Sequence, residues 1–362
     1  MKKVSIAFSI LLIGIFIGGF GACLTQTLAA EKMPDAIVIA GFQSGSGMYP
    51  IGVAVANAVK AVTGIRARMI PTASDMGKAI MVRSKDAHVI VTGGGGSVPM
   101  ALGSQYGGFD VPEWGPQPLR LLWRGANTEY GMITRPDTGI KVPSDIRGKK
   151  AAWWTANPVS LWYLKGFLAF AGLTTKDVTL VPSDTFEAAV VSVGEKAADV
   201  CPSSVGSSAS QQVFKMPSGG KWIPYPQSDK EGWKRLMAET PYFFPATVEA
   251  PIPTIEKGEK LEAAAYGTHV FTYSWLPDNV AYEITRSMAE GYDSYKHLTP
   301  RLAKFKLDDN FASLQDEFIP FHPGSVEYLK KIGRWTPAYQ AWQERQLAKL
   351  NELRTAFEAK IK

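Results

Sequence analysis

The chain has little cysteine: two residues in 362, Cys23 and Cys201. Cys23 falls in an N-terminal leader-like stretch, so the remainder keeps one thiol and forms no internal disulfide. An exported protein of that kind is held together by its core. No second long apolar run follows residue 22, and the rest reads as a soluble chain. No basic run or interleaved basic–aromatic stripe is present, which argues against a nucleic-acid partner. His88, His269, His297 and His322 are the only histidines. None is spaced from another as metal ligands are, and they read as surface or hydrogen-bonded core residues. The serines between 203 and 210 form no Gly-x-Ser-x-Gly elbow. Cys201 ends a strand with no histidine near it in sequence. It would need His269 or His322 folded beside it to act as a nucleophile, and otherwise reads as a buried free thiol. An enzyme is not expected, and no metal or cofactor is called for.

What is present begins with Lys2 and Lys3, an almost wholly apolar Val4–Ala22, and "TQTLAA" with small residues at Thr27, Ala29 and Ala30. This is the three-part layout of a secretory signal over residues 1–30, cleaved near Ala29 or Ala30, and it implies a periplasmic protein. A retained anchor is the alternative, since the run is just long enough to span a bilayer. A lipoprotein cysteine at Cys23 fits less well, because Phe20 stands where a lipobox carries an aliphatic residue. The leader holds two of the 39 basic residues and none of the 33 acids. The remaining 332 residues therefore net +4, a mild charge on a length that suits two lobes better than one.

Periodicity supports an α/β chain. "DAIVIAGF" (35–42), "IRARMIPT" (65–72) and "AHVIVTGGGG" (87–96) read as strands. Helical spacing fills 49–64 and 74–86 between them, with Ser74 as an N-cap. That alternation predicts a parallel sheet with its ligand site beyond the strands' carboxyl ends, at loops 43–49, 72–74 and 92–97. The pattern then recurs: strands at 129–136, 151–155, 177–183 and 198–208, helices at 160–173 and 184–197. "SKDAHVIVTGGGG" and "EKAADVCPSSVGS" have the same layout, which predicts two similar α/β lobes. Residues 217–262 pattern poorly. A strand is predicted over 263–275 and helices over 277–292 and 337–362. The last carries an apolar stripe of Tyr339, Trp342, Leu347, Leu350, Leu353 and Phe357, which reads as packing on the chain's own core rather than as a dimer seam.

The loop "GFQSGSGMYPIG" (41–52) invites comparison with a dinucleotide cradle. Gly45 and Gly47 fit that fingerprint, but Pro50 stands at its third glycine, and the next strand carries Arg66 and Arg68 instead of an acid. No phosphate-loop lysine follows either. The repeated order of strand, small-residue loop and helix start instead aims backbone N–H groups at one cleft, which suits a small anion such as a carboxylate. Gly45, Gly47 and Gly93 lie in those loops. Ser44, Ser46, Tyr49, Thr72, Ser74, Thr92, Asn157, Ser160, Ser183, Ser203 and Ser204 add hydroxyls and an amide. Each serine or threonine also has a plainer role as a helix cap.

These motifs resemble the solute-binding subunits of TAXI-type TRAP transporters over essentially the whole chain after the leader. In the opening loop Ser44, Gly45, Tyr49, Pro50 and Gly52 match that family in type, whereas Phe42, Ser46, Gly47 and Met48 depart. "RPDTGIKVPSDIRGKK" (135–150), "LPDNVAYEITRSM" (276–288) and "PFHPGSVEYLKKIG" (320–333) extend the likeness. The resemblance implies a type II periplasmic-binding-protein fold, with two α/β lobes joined by crossing hinge strands near 130 and 264. Lobe I would be 31–130 with 265–362, and lobe II 131–264. It implies a monomer that delivers a small organic acid, such as glutamate, 2-oxoglutarate or a dicarboxylate, to TRAP permease subunits driven by an ion gradient. Receptors for ABC transporters or sensor kinases share the fold and remain the alternative. The family's second-lobe cradle is here "NPVS" (157–160), preceded by Trp153 and Trp154 where the family has small residues. Strand alternation lets at most one tryptophan line the cleft, both as core residues being the alternative, and the departure admits a flatter, bulkier or more apolar acid than glutamate. Arg66, Arg124 and Arg135 stand as alternative partners for a ligand carboxylate.

Overall fold

Apolar β-branched runs with glycine or capped stops build the first part of the chain as the periodicity predicts. The computed structural model describes residues 32–103, 108–109, 111, 114–249, 252–311 and 317–361. The leader expected over residues 1–30, with Cys23, lies outside them. Strand β1 (Ala36–Phe42), helix α1 (Tyr49–Thr63), β2 (Arg66–Thr72), α2 (Asp75–Arg83) and β3 (Val89–Gly93) follow in order. Pro50 sits in the first turn of α1, where its missing N–H costs nothing. Ser74 caps α2 by accepting the Gly77 N–H at 3.0 Å.

The four glycines depart from expectation. They were expected to trail from the third strand, but Gly94–Gly96 open helix α3 (Gly94–Leu102). A Cβ at Gly95 would stand 2.3 Å from the Tyr163 ring, and one at Gly96 2.4 Å from the Asp75 carboxyl. Only glycine lets this helix begin against its neighbours.

Strands β2, β1 and β3 are parallel, and β10 (Lys260–Tyr273) runs antiparallel to β3. The decisive element is β4 (Leu119–Thr134), of which only the end was legible in the sequence. Its first part pairs with Thr268–Tyr273 of β10 beside β3. Its last part pairs with β7 (Cys201–Ser204) and β8 (Lys221–Ile223), where β10 pairs with β9 (Phe244–Glu249). Both long strands thus run through two sections of one sheet. Between the sections the register slips: Ala126 and Asn127 stand opposite the single residue Gly267, a bulge that bends and twists the pair. Strands β5 (Lys150–Trp154) and β6 (Thr179–Ser183) pair in parallel, and Ala151 bridges them to Val200. Helices α4 (Val159–Phe170), α5 (Phe186–Gly194) and α6 (Ser208–Lys215) complete this second section.

The poorly patterned 217–262 stretch folds as β8, α7 (Lys230–Glu239) and β9. Each is too short for its periodicity to stand out among prolines and glycines. Their order comes from tertiary packing: Tyr225 and Trp233 lie edge-on to Phe167 and Phe170 of α4. The C-terminal helix α10 (Pro337–Ile361) buries Trp342 and Leu350. Gln343 exchanges two 2.8 Å hydrogen bonds with the Phe321 backbone. The stripe therefore packs on its own chain.

Helices α8 (Asp278–Glu290) and α9 (Pro323–Lys331) lie together, and His322 caps α9. Its Nδ1 accepts the Gly324 N–H at 3.3 Å, so the imidazole is neutral in the fold. Burial pushes its pKa down from 6.5 to about 4. The unfolded chain takes up this proton near pH 6.5, the folded chain only near 4. The contribution is therefore complete above pH 6.5 and is lost as pH falls toward 4, by up to ~3 kcal/mol. In urea unfolding across that window, His322→Asn is expected to flatten the pH dependence, because asparagine also caps but does not titrate. An unchanged slope would assign the acid sensitivity elsewhere.

Candidate functional site

The carboxyl ends of β1 and β3 and the loops of the second section meet around one cavity. The first section supplies Phe42, the 43–48 loop apart from Gly45, Ala73, Thr92 and Gly93. The second supplies Trp154, Asn157, Tyr163, Phe186, Glu187 and Ser204. Thr128, Tyr130 and Tyr266 come from the crossing strands themselves. This is where an open α/β sheet places its ligand.

Seven of the expected residues line the cavity: Ser44, Ser46, Gly47, Thr92, Gly93, Asn157 and Ser204. Five stand outside the lining. Gly45 takes a left-handed φ of 89°, and a Cβ there would meet the Glu187 carboxylate at 2.8 Å. Tyr49 begins α1, and buried Met48 takes the place beside the cavity. The Thr72 hydroxyl donates to the Gly41 and Ser74 carbonyls. Ser160 donates to the Trp154 carbonyl at 2.5 Å, and Ser203 bonds to Ser210 at 2.7 Å. For these three the hydroxyl is committed to the local fold. Ser74 is likewise a cap, and Ser183 extends β6.

Strand phase separates the tryptophans. Trp154 lines the cavity and meets Phe186 edge-on at 5.1 Å, while Trp153 lies outside the lining. With Phe42, Tyr130, Tyr163 and Tyr266, Trp154 and Phe186 give a largely aromatic wall, in which Tyr163 and Tyr266 stack. Such faces favour flat or apolar groups.

None of the three arginines named from the sequence is in the lining. Arg66 is exposed on β2. Arg124 is buried, donating to Asn127 Oδ1 at 3.2 Å. Arg135 donates to Asp137 and to the Val193 and Ala198 carbonyls, tying the second section together. The arginine at the cavity is Arg301, which nothing in "KHLTPRLAKF" singled out. Its Nη1 donates to the Gly47 carbonyl at 3.1 Å and its Nη2 to Ser204 Oγ at 3.2 Å, so it touches the lining from both sections.

A second group escaped the sequence. Asp75, fully buried, accepts from Lys78 Nζ at 2.8 Å, Thr92 Oγ1 at 2.5 Å and Asn157 Nδ2 at 2.9 Å. Lys78, also fully buried, reaches the Val91 carbonyl and lies 3.0 Å from the centre of the Phe42 ring. Burial lowers the Lys78 pKa to about 8, against the opposing pull of Asp75. Asp75 and Lys78 are three apart on α2, a spacing that reads as an ordinary surface pair until the fold covers both. Asp75–Asn157, Arg301–Ser204 and a Ser208–Gly45 hydrogen bond of 3.1 Å join residues of the two sections beside the cavity.

The geometry defines a class: a bilobed α/β fold of the periplasmic-binding-protein type, with a cavity between the lobes where strands cross. PhnD1 from Prochlorococcus marinus, in complex with methylphosphonate, is similar with a TM-score of 0.50 and 9% identity, over 84% of this chain and 100% of its own. The alkanesulfonate-binding protein SsuA from Xanthomonas axonopodis pv. citri, bound to MOPS, is similar with a TM-score of 0.47 and 10% identity, over 88% and 84%. An ancestral arginine-binding protein bound to arginine gives 0.45 and 12%, over 76% and 99%. No curated protein sequence matches the chain. Residues 39–333 match the NMT1-like family, and the chain belongs to that family.

Proposed function

We propose that the protein is a periplasmic receptor that captures a small organic acid in this cavity and hands it to a membrane transporter. The observation that carries the proposal is the composition of the cavity wall. Residues from both sides of the crossing strands line it, and three hydrogen bonds beside it join the two sides. Residues 31–130 with 265–362 would form one lobe and 131–264 the other. Closure would bend β4 and β10 at the register slip beside Gly267. A ligand that touches both lobes binds the closed form better and shifts the population toward it.

The anionic end fits beside Ser46, Gly47 and Ser204, where Arg301 is held, although the Glu187 carboxylate also lines the cavity, against Gly45. The aromatic wall suits a flatter or more apolar body than that of glutamate. The signal-like leader supports a periplasmic location. The motifs at 41–52, 135–150 and 320–333 support TRAP permease subunits as the transport partner, and ABC transporters use receptors of the same fold. Binding without catalysis is favoured because burial drives the Cys201 thiol pKa far up, keeping it protonated. A Ser97–His269–Glu317 relay, at 2.7 and 2.6 Å, is buried and lies outside the cavity lining.

A thermal-shift screen of the purified protein should include glutamate, 2-oxoglutarate, four-carbon diacids and aromatic acids. A true ligand at 100 times its dissociation constant is expected to stabilise the fold by ~2.7 kcal/mol. A folded, ligand-free protein that answers none of them would sink the acid reading.

A further inference from the structure

We infer that the ligand carries a hydrogen-bond donor at the end away from its carboxylate, that Asn157 reads this donor, and that a second carboxylate there is rejected. The inference rests on the acid-binding receptor proposed above and narrows its substrate class. Asn157 lines the cavity and is 2% exposed. Only one end of its amide is engaged. Asp75 is held as an acceptor, because Lys78 Nζ and Thr92 Oγ1 both donate to its Oδ1. Facing an ionised carboxylate, only the amide nitrogen makes a bond, so Nδ2 takes Asp75 Oδ2 at 2.9 Å. That fixes the flip of the amide without appeal to anything else nearby. Oδ1 is thereby turned away from Asp75; it is buried, and no group among the described residues donates to it.

A buried acceptor of this kind is costly unless it is met. A ligand N–H or O–H meets it. A ligand carboxylate does not, since it would present lone pairs to lone pairs with the Asp75 charge one bond behind. The substrate class is therefore a monocarboxylic acid with a hydroxyl, amino or amide group at its far end. Diacids fall outside it.

Two matched series test this by calorimetric titration of the full-length protein. One is benzoate, 4-hydroxybenzoate and terephthalate; the other is pentanoate, 5-hydroxypentanoate and glutarate. In whichever series binds, the hydroxy acid is expected to bind ~10-fold or more tightly than the unsubstituted acid, and the diacid more weakly than either. Asn157→Leu removes the acceptor and is expected to bring the hydroxy and unsubstituted acids within roughly two-fold of each other. The wild-type comparison decides the matter even if that variant fails to fold. Equal binding of the hydroxy and unsubstituted acids, or tightest binding of the diacid, overturns the role of Asn157 and leaves the acid receptor standing. Binding of no acid in either series, nor in the screen above, overturns both.

Discussion

Asp75→Ala is expected to destabilise the protein by ~3–5 kcal/mol in urea unfolding at neutral pH, because it strands Lys78 in the interior. Both side chains have no exposed surface, and the 2.8 Å pair compensates a charge that burial alone disfavours. Removing the acid also frees the Thr92 hydroxyl and the Asn157 amide nitrogen, two further buried groups. Lys78→Met added to Asp75→Ala is expected to recover more than half of the loss, since the unpaired charge is then gone. A single-variant loss below about 1 kcal/mol, the range of exposed pairs, would mean that water reaches this pair in solution. The consequence for function follows from position. The same carboxylate that offsets Lys78 orients Asn157, so a stability device of the first lobe sets the polarity of a wall contributed by the second.

Gly324→Ala is expected to cost ~3 kcal/mol, toward the upper end of overpacking effects. The added Cβ would stand 1.9 Å from the Asp278 carbonyl oxygen, 2.8 Å from its carbon and 2.9 Å from the Tyr282 nitrogen. All three are backbone atoms at the start of α8, so no side chain can swing aside. Helix α9 would have to lift away and stretch the 2.7 Å Thr285–Ser325 hydrogen bond between the two helices. The shift in urea midpoint measures the effect, and a loss under about 0.5 kcal/mol would mean that the helices part cheaply. This gives a physical meaning to "HPGS" in the motif at 320–333. Histidine caps the helix, proline starts it, glycine lets it meet α8, and serine bonds across.

Local patterns determined much of this protein. The alternation of β-branched runs with 3.6-period stretches placed β1, α1, β2, α2 and most of the second-lobe elements within a few residues. Those signals are carried by neighbours in sequence and survive without knowledge of the fold. The loops at the strand ends were legible for the same reason, and seven of the twelve residues picked from them line the cavity. Outside the lining stand hydroxyls such as those of Ser160 and Ser203, whose type fits both a ligand and a neighbouring backbone or side-chain partner. Tertiary structure alone decided between those uses. It also decided that Asp75 and Lys78, spaced like a solvated pair on a helix, are buried. It brought Arg301 beside Gly47 across 254 positions of sequence, and it turned Trp154 rather than Trp153 to the cavity. It extended β4 through "LRLLWRGANT", whose pairing with β10 spans both lobes. Burial, partner choice and register are properties of contacts between distant segments. No window of the chain contains them, and they emerge only when the crossing strands bring the two lobes together.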